Sequence, residues 1–119
     1  MFITKSSSTF ISKIELSTVD ISQPKFAINN NSRKIFITAE EGNFLSSNEI
    51  LLKKNVRFRS NDFSIETENV IFNRDKQTAY TNEKSFFKTT NATITSSGFD
   101  ISEQGNKIVF YGKSSVILK

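Results

Sequence analysis

The stretch FSIETENVIFN, residues 63–73, opens by strict alternation, with Phe63, Ile65 and Thr67 on one side and Ser64, Glu66 and Glu68 on the other. A period of two belongs to a strand with one dry and one wet face. The same texture continues around it. From Arg33 onward, short alternating runs are broken by polar turn clusters: SSN at 46–48, SND at 60–62, NRDKQ at 73–77, TNEK at 81–84, EQGN at 103–106 and GKSS at 112–115. Thr, Ile, Val and Phe supply the strand preference, and no window carries a 3.6-residue apolar stripe. Short strands at such regular spacing predict an all-β sandwich, roll or barrel-like fold.

A repeat underlies the spacing. Ile37, Ala39 and Phe44 align with Ile65, Thr67 and Phe72, and again with Ile94, Ser96 and Ile101, at internal offsets of +2 and +7 each time. The units begin 28 and 29 residues apart. Each reads as a strand, a turn and a second strand, the second halves being EILLKKNVRFR, TAYTNEKSFFK and KIVFYGKSSVIL. One such unit cannot bury its apolar face alone, so the units are expected to stack into a continuous two-layer sheet. A chain of 119 residues makes one small domain, assigned here to 19–119. Residues 1–18 are Ser/Thr-rich and are expected to form a mobile lead or a weak edge strand. Pro24, the only proline, fits an edge strand or a strand entry.

Composition removes whole classes of chemistry. With no His and no Cys, the chain alone builds neither a Ser-His-Asp nor a Cys-His nucleophile system, no disulfide and no thiolate or histidine zinc site. Acid–base work would fall to carboxylates, Lys or Tyr, which need burial or a partner to titrate near neutrality. Glu66 and Glu68 share a wet strand face, and Glu40 and Glu41 lie in a strand-to-turn run, as solvated carboxylates do. The four glycines, at 42, 98, 105 and 112, form no phosphate-binding loop. The expectation is a protein that is not an enzyme and uses no cofactor. No 18-residue apolar run is present, so no membrane-spanning helix is predicted, and MFITKSSSTFISKIELS lacks the continuous apolar core of a signal peptide.

The net charge of +4 draws attention to KKNVRFR, where Lys53, Arg57 and Arg59 share one strand parity and Val56 and Phe58 the other. A basic stripe of this kind suits phosphate groups. It equally suits a solvated strand face that discourages edge pairing, which is the reading taken here. Nucleic acid is not expected as a partner, because stacking platforms need exposed rings and Phe58 alternates away from the charges. Asn30-Asn31-Ser32 and Asn91-Ala92-Thr93 match the glycosylation triplet, which a chain so rich in Ser, Thr and Asn produces by chance.

Three stretches together resemble the periplasmic domain of the LptC family of lipopolysaccharide-export proteins, related to OstA-like domains. They are ISQPKF followed by RKIFITAEEG, then ILLKKNVRFRSNDFSIETENVIFN, then ATITSSGFDISEQGNKIVFYGKSSVILK, covering about residues 20–119. The resemblance rests on their order and spacing, since none is a catalytic motif. It implies an antiparallel two-sheet β-jellyroll, open at both ends, that passes lipopolysaccharide across the periplasm from the inner-membrane transporter complex to a periplasmic bridge protein. It also implies a periplasmic, inner-membrane-associated location, although the membrane helix that family members usually carry is not found in this sequence.

On that footing the one-sided apolar residues become candidates for a groove that takes acyl chains. Ile37, Phe44, Leu52, Phe58, Ile65, Phe72, Phe86, Ile94, Ile101 and Phe110 are the lining candidates, and for any one of them core packing is the competing role. Gly98, in TSSGFD, marks a bulge or bend expected to aim the last strands at a partner. Ser115, Val116, Ile117 and Leu118 form an apolar C-terminal strand with charge only at Lys113 and Lys119, poor protection for an edge unless another sheet covers it. The bridge protein is therefore expected to pair there by strand addition. The competing arrangement has this strand pair with KIELSTVDI near the N-terminus. Two other classes stay open: a structural or assembly β-domain with a closed, dry core, and a carbohydrate-binding β-sandwich with rings on its wet face.

Overall fold

The computed structural model describes residues 20–112 and 115–118. The expected N-terminal lead, residues 1–18, lies outside them, as do Lys113 and Lys119. Among the described residues are twelve strands: β1 (Asp20–Ser22), β2 (Lys25–Asn29), β3 (Lys34–Thr38), β4 (Glu41–Phe44), β5 (Glu49–Arg59), β6 (Ser64–Asn73), β7 (Thr78–Thr81), β8 (Ser85–Lys88), β9 (Ala92–Ser96), β10 (Gly98–Ser102), β11 (Lys107–Tyr111) and β12 (Ser115–Leu118). A single 3-10 turn, Glu103–Gly105, joins β10 to β11. The fold is all-β and antiparallel, as the alternation and the resemblance predict.

The pairing shows seven long passes rather than twelve independent strands. They are β1–β2, β3–β4, β5, β6, β7–β8, β9–β10 and β11–β12, each antiparallel to the next. Every pass crosses one fold line, so the meander is creased into two leaves. The upper leaf runs β2-β3-β5-β6-β8-β9-β12, and the lower leaf runs β1-β4-β5-β6-β7-β10-β11. Only β5 and β6 run unbroken from one leaf to the other.

The crease is made by unequal counts of residues. Between Lys53↔Asn69 and Val56↔Thr67, β5 has two residues where β6 has one. Across the same line, 82–84 in the fifth pass face 97–98 in the sixth, and the flanking pairs Tyr111↔Gly98 and Ser115↔Thr95 give the seventh pass one residue more than the sixth. One extra residue on one side of a pair is a β-bulge, which bends and twists its strand. Left-handed backbone at Lys54 (φ 67°), Asn55 (φ 52°) and Gly112 (φ 69°) supplies the bend, and Gln23 (φ 52°) does the same beside Pro24 in the first pass. Backbone bonds stitch along the crease, Gln23 N–H donating to the Glu40 carbonyl (2.9 Å), Glu40 N–H to Lys54 (3.0 Å) and Ser97 N–H to Tyr111 (3.1 Å).

Space is narrowest inside the crease, and small side chains occupy it. The second position of the sequence repeat supplies Ala39, Thr67 and Ser96, all buried. Their hydroxyls are satisfied locally, Thr67 Oγ1 donating to the Lys84 carbonyl at 3.0 Å and Ser96 Oγ to Gly98 at 3.0 Å. Away from the crease the leaves are filled by large residues, with Phe58, Phe72 and Phe99 fully buried among Ile28, Ile35, Ile50 and Val70. At the opposite rim the leaves are tied by turns. Asn30 Nδ2 donates to the Gln104 carbonyl (2.6 Å), Asn29 N–H to Gln77 Oε1 (2.6 Å), and Arg33 Nη1 to the Gly105 carbonyl (3.4 Å). Gly105 is required there on two counts, since its φ is +87° and a Cβ would sit 2.9 Å from Ile35 Cδ1.

The crease can be tested by deletion and substitution. Deleting Asn55 equalises the counts on β5 and β6 and turns Val56 and Phe58 outward, so the variant should lose its cooperative urea transition. Asn55→Gly keeps the count and suits the left-handed backbone, so its stability should stay within about 1 kcal/mol of the parent. Gly98 is buried, and a Cβ there would fall inside contact distance of the Thr81 carbonyl and 3.0 Å from Asn82 Cα. Gly98→Ala should therefore cost about 1–3 kcal/mol, seen as a drop of roughly 4–8 °C in Tm per kcal/mol. At Gly42 the closest neighbour of a Cβ is the Pro24 ring at 3.2 Å, so Gly42→Ala should cost less.

Candidate functional site

The cross-strand pairs set inner-face residues in rows that run across each leaf. In the upper leaf, Phe26, Ile37, Phe58, Ile65, Phe87, Ile94 and Val116 are successive partners from β2 to β12. In the lower leaf, Phe44, Ile50, Phe72, Ala79, Ile101 and Ile108 are successive partners from β4 to β11. The sequence repeat falls on these rows: Ile37, Ile65 and Ile94 in the upper leaf, Phe44, Phe72 and Ile101 in the lower.

The leaves meet with a stagger. Phe26 on β2 packs on Phe72 of β6 (5.2 Å between ring centroids), and Phe58 on β5 meets Phe99 of β10 edge to face (5.5 Å). Phe87 on β8 meets Phe110 of β11 (5.3 Å) and also stacks on Phe63 (5.1 Å). The first strand of the upper leaf thus lies over the fourth of the lower, and the fifth over the seventh. The stagger carries β9 and β12 past the last strand of the lower leaf, and the upper row passes out of the sandwich. Ile37, Phe58 and Ile65 are fully buried, Phe87 and Ile94 are half-buried, and Val116 is 58% exposed. At the other end, β1 and β4 extend past β2, and Ile21 and Phe44 are half-buried. The Arg74 guanidinium lies 5.1 Å over the Phe44 ring.

Six of the ten lining candidates, Ile37, Leu52, Phe58, Ile65, Phe72 and Ile101, are at most 1% exposed and pack against one another. Phe44, Ile94 and Phe110 are half-buried, near the open ends. Phe86 stands apart from the rest. It pairs with Glu66, shares the outer face with it, and is 36% exposed. Its neighbour Phe87 is the inward ring, and counting by twos from buried Ala79 and Thr81 through Ser85 reaches Phe87. Phe26, Phe63 and Phe99 are the other interior rings that the candidate set omits. Gly98, expected to belong to a partner surface, is buried beneath the fifth pass and acts on the fold instead.

Among the described residues, the terminal strand β12 pairs with β9 alone. Val116, Ile117 and Leu118 are 58%, 62% and 77% exposed, and Ser115 is exposed as well. Of the KIELSTVDI segment, only Asp20 and Ile21 are described, and they pair with β4 rather than β12. Lys53, Arg57 and Arg59 do not form one stripe, because the bulge puts Lys53 on the lower leaf and the arginines on the upper. Lys53 Nζ lies 3.9 Å and Lys54 Nζ 2.7 Å from the Glu41 carboxylate. The Lys54 hydrogen bond, then its charge, lowers the Glu41 pKa, and the reciprocal bond raises that of Lys54. Tyr111 donates its phenolic hydrogen to Asp100 Oδ2 at 2.6 Å, and that bond raises the phenol's pKa.

No group of three or more Asp and Glu converges as a metal site among the described residues, and no helix there is long and apolar enough to cross a membrane. The chain is similar to the uncharacterized protein RP506 of Rickettsia prowazekii (strain Madrid E), at 32% identity over 91 residues that cover 75% of this chain and 45% of that protein. It thus spans less than half the length of that relative. The family model described as lipopolysaccharide-assembly, LptC-related matches residues 8–118. With the creased antiparallel meander matched over nearly its whole length, the chain belongs to the LptC-related family of lipopolysaccharide-assembly proteins.

Proposed function

We propose that this domain is a non-enzymatic carrier that shields the acyl chains of lipopolysaccharide between its two leaves. In this reading it receives the lipid from the inner-membrane transporter complex and passes it to a periplasmic bridge protein. The single observation that carries the reading is the upper inner row, which runs without a polar interruption from buried Phe58 and Ile65 to exposed Val116. Acyl chains laid along such a row gain about 0.8 kcal/mol per buried methylene. The six fully buried candidates already fill the interior, so lipid reaches them only as the leaves part at the rim. There the ties are turn hydrogen bonds, whereas the crease is bonded through the backbone. Phe87, Ile94 and Phe110, at the open end, are the first residues the chains meet.

That β12 pairs with β9 alone among the described residues supports the second half of the reading. A strand added by the bridge protein takes its affinity from the unpaired main-chain groups of Ser115–Leu118 and its specificity from alternate side chains. Val116 and Leu118 then continue the inner row, and the partner sheet prolongs the apolar path. The reading as a dry assembly domain draws on the full burial of Phe58 and Phe72, and crosslinking separates the two.

A photoreactive phenylalanine analogue at Phe72 or Phe110 should crosslink to purified lipopolysaccharide, and one at Tyr80 on the outer face should not. Labelling at Tyr80 equal to that at Phe72 and Phe110 would sink the carrier reading and favour the dry core. Deleting residues 116–119 should leave a folded domain that still crosslinks lipid through Phe72 but no longer retains the bridge protein on a column. Retention unchanged by the deletion would move the docking site off β12.

A further inference from the structure

The outer faces of the two leaves differ in charge. On the upper leaf the outward positions include Lys25, Lys34, Arg57, Arg59 and Lys88, opposed by Glu66. On the lower leaf they include Glu41, Glu49 and Asp100, opposed by Lys53 and Lys107. Of these outward positions, those on the upper leaf are predominantly basic and those on the lower leaf are nearly balanced. We infer that the outer face of the upper leaf is a docking surface for an anionic phospholipid bilayer.

Four observations favour that occupant. First, the cations are unpaired: among the described residues no carboxylate forms an ion pair with Lys25, Lys34, Arg57, Arg59 or Lys88. Second, they are spread rather than convergent. They sit on β2, β3, β5 and β8, and at 4.7–4.9 Å per strand this lattice is about 19 Å wide. A spread of this kind matches many phosphates in a plane better than one phosphate in a pocket. Third, exposed rings stand among the cations. Phe36 is 55% exposed with Lys34 Nζ 5.6 Å over its ring, and Phe86 is 36% exposed with Lys84 Nζ at 5.5 Å. Apolar side chains interleaved with basic ones are the composition that enters the headgroup layer. Fourth, protection of an edge does not account for the arginines, because β5 is a central strand paired on both sides.

The row Arg59–Ser64–Lys88 has a short residue between two cations, and a hollow of about 380 Å³ opens there, bounded also by Arg57. Asp62 and Glu66 also line it, so the hollow is of mixed charge and the cations around it act as part of the wider lattice. Docked this way, the domain lies with its upper leaf on the bilayer, which brings the open end at β9 and β12 beside the lipid layer. The inference rests on the outer face alone and stands or falls independently of what the interior carries.

Vesicle sedimentation of the full chain tests it. Vesicles of phosphatidylcholine with 30% phosphatidylglycerol should bind the protein at 50 mM NaCl and release most of it at 500 mM, as screening requires. Pure phosphatidylcholine should bind little. The triple variant Arg57→Gln/Arg59→Gln/Lys88→Gln should lose about a hundredfold in partition coefficient, at roughly fivefold per basic residue held at an anionic surface. A charge-matched triple on the other side, Lys53→Gln/Lys76→Gln/Lys107→Gln, should lose less than about fivefold. All six side chains lie outside the core, and circular dichroism with Tm confirms that both variants fold. Equal losses in the two triples would overturn the inference, because net charge and not this face would then drive binding. So would failure of the parent to bind the anionic vesicles, or its binding soluble polyglutamate but not vesicles, which would give the face to an acidic protein.

Discussion

One surplus residue in each of three alternate passes holds this structure together. A regular antiparallel ladder forces both strands to advance in step, and a sheet built that way would stay open. Here the third, fifth and seventh passes each carry one residue more than their neighbours at the same line. The surplus lengthens the outside of a bend, and because the third, fifth and seventh passes share it, the bends align across the sheet. The small residues at 39, 67 and 96, the bonds along the crease and the near-contact of Gly98 with Thr81 are all consequences of that line. A sheet closed on itself in this way buries its rings without a second sheet to meet them.

The crease was written in the sequence, in the odd offset of the repeat. A period-two strand that keeps one face inward places its inner residues at even separations, so a separation of seven between Ile37 and Phe44, Ile65 and Phe72, and Ile94 and Ile101 cannot belong to a straight strand. The inner residues fall at offsets of 0, +2, +5 and +7 in these passes, the third place being Gly42, Val70 and Phe99. In the returning passes they fall at 0, +2, +6 and +8, as in Ile50, Leu52, Val56 and Phe58. The all-β class, the two layers and the repeat were legible because burial imposes them residue by residue. Phe87 was obscured by its neighbour Phe86, since adjacent rings look alike until a register is counted through them. Gly98 was obscured for another reason: a glycine needed for a close approach and one needed for a turn read the same.

The stagger between the leaves gives the domain two unlike ends. At one end the upper leaf projects, where Ile94 is half-buried and Val116 is exposed. At the other the lower leaf projects, with Ile21 and Phe44 on its inner side. Among the described residues each projection shows an apolar face and a strand edge, so each is a step that a second sheet of similar cross-section can lap over. The two steps are complementary in shape rather than identical, so a joint made through them is heterologous and has a direction.

Each unit of one outgoing and one returning pass takes 28 or 29 residues and widens both leaves by two strands, about 10 Å at the usual strand separation. The distance between crease and rim is fixed by how many residues a pass holds, and it is the same in every unit. The number of units fixes only the distance from one end to the other. Depth and length are therefore separate variables in this architecture, and a chain can gain or lose a whole unit, as a plank is cut to measure, without altering the distance from crease to rim.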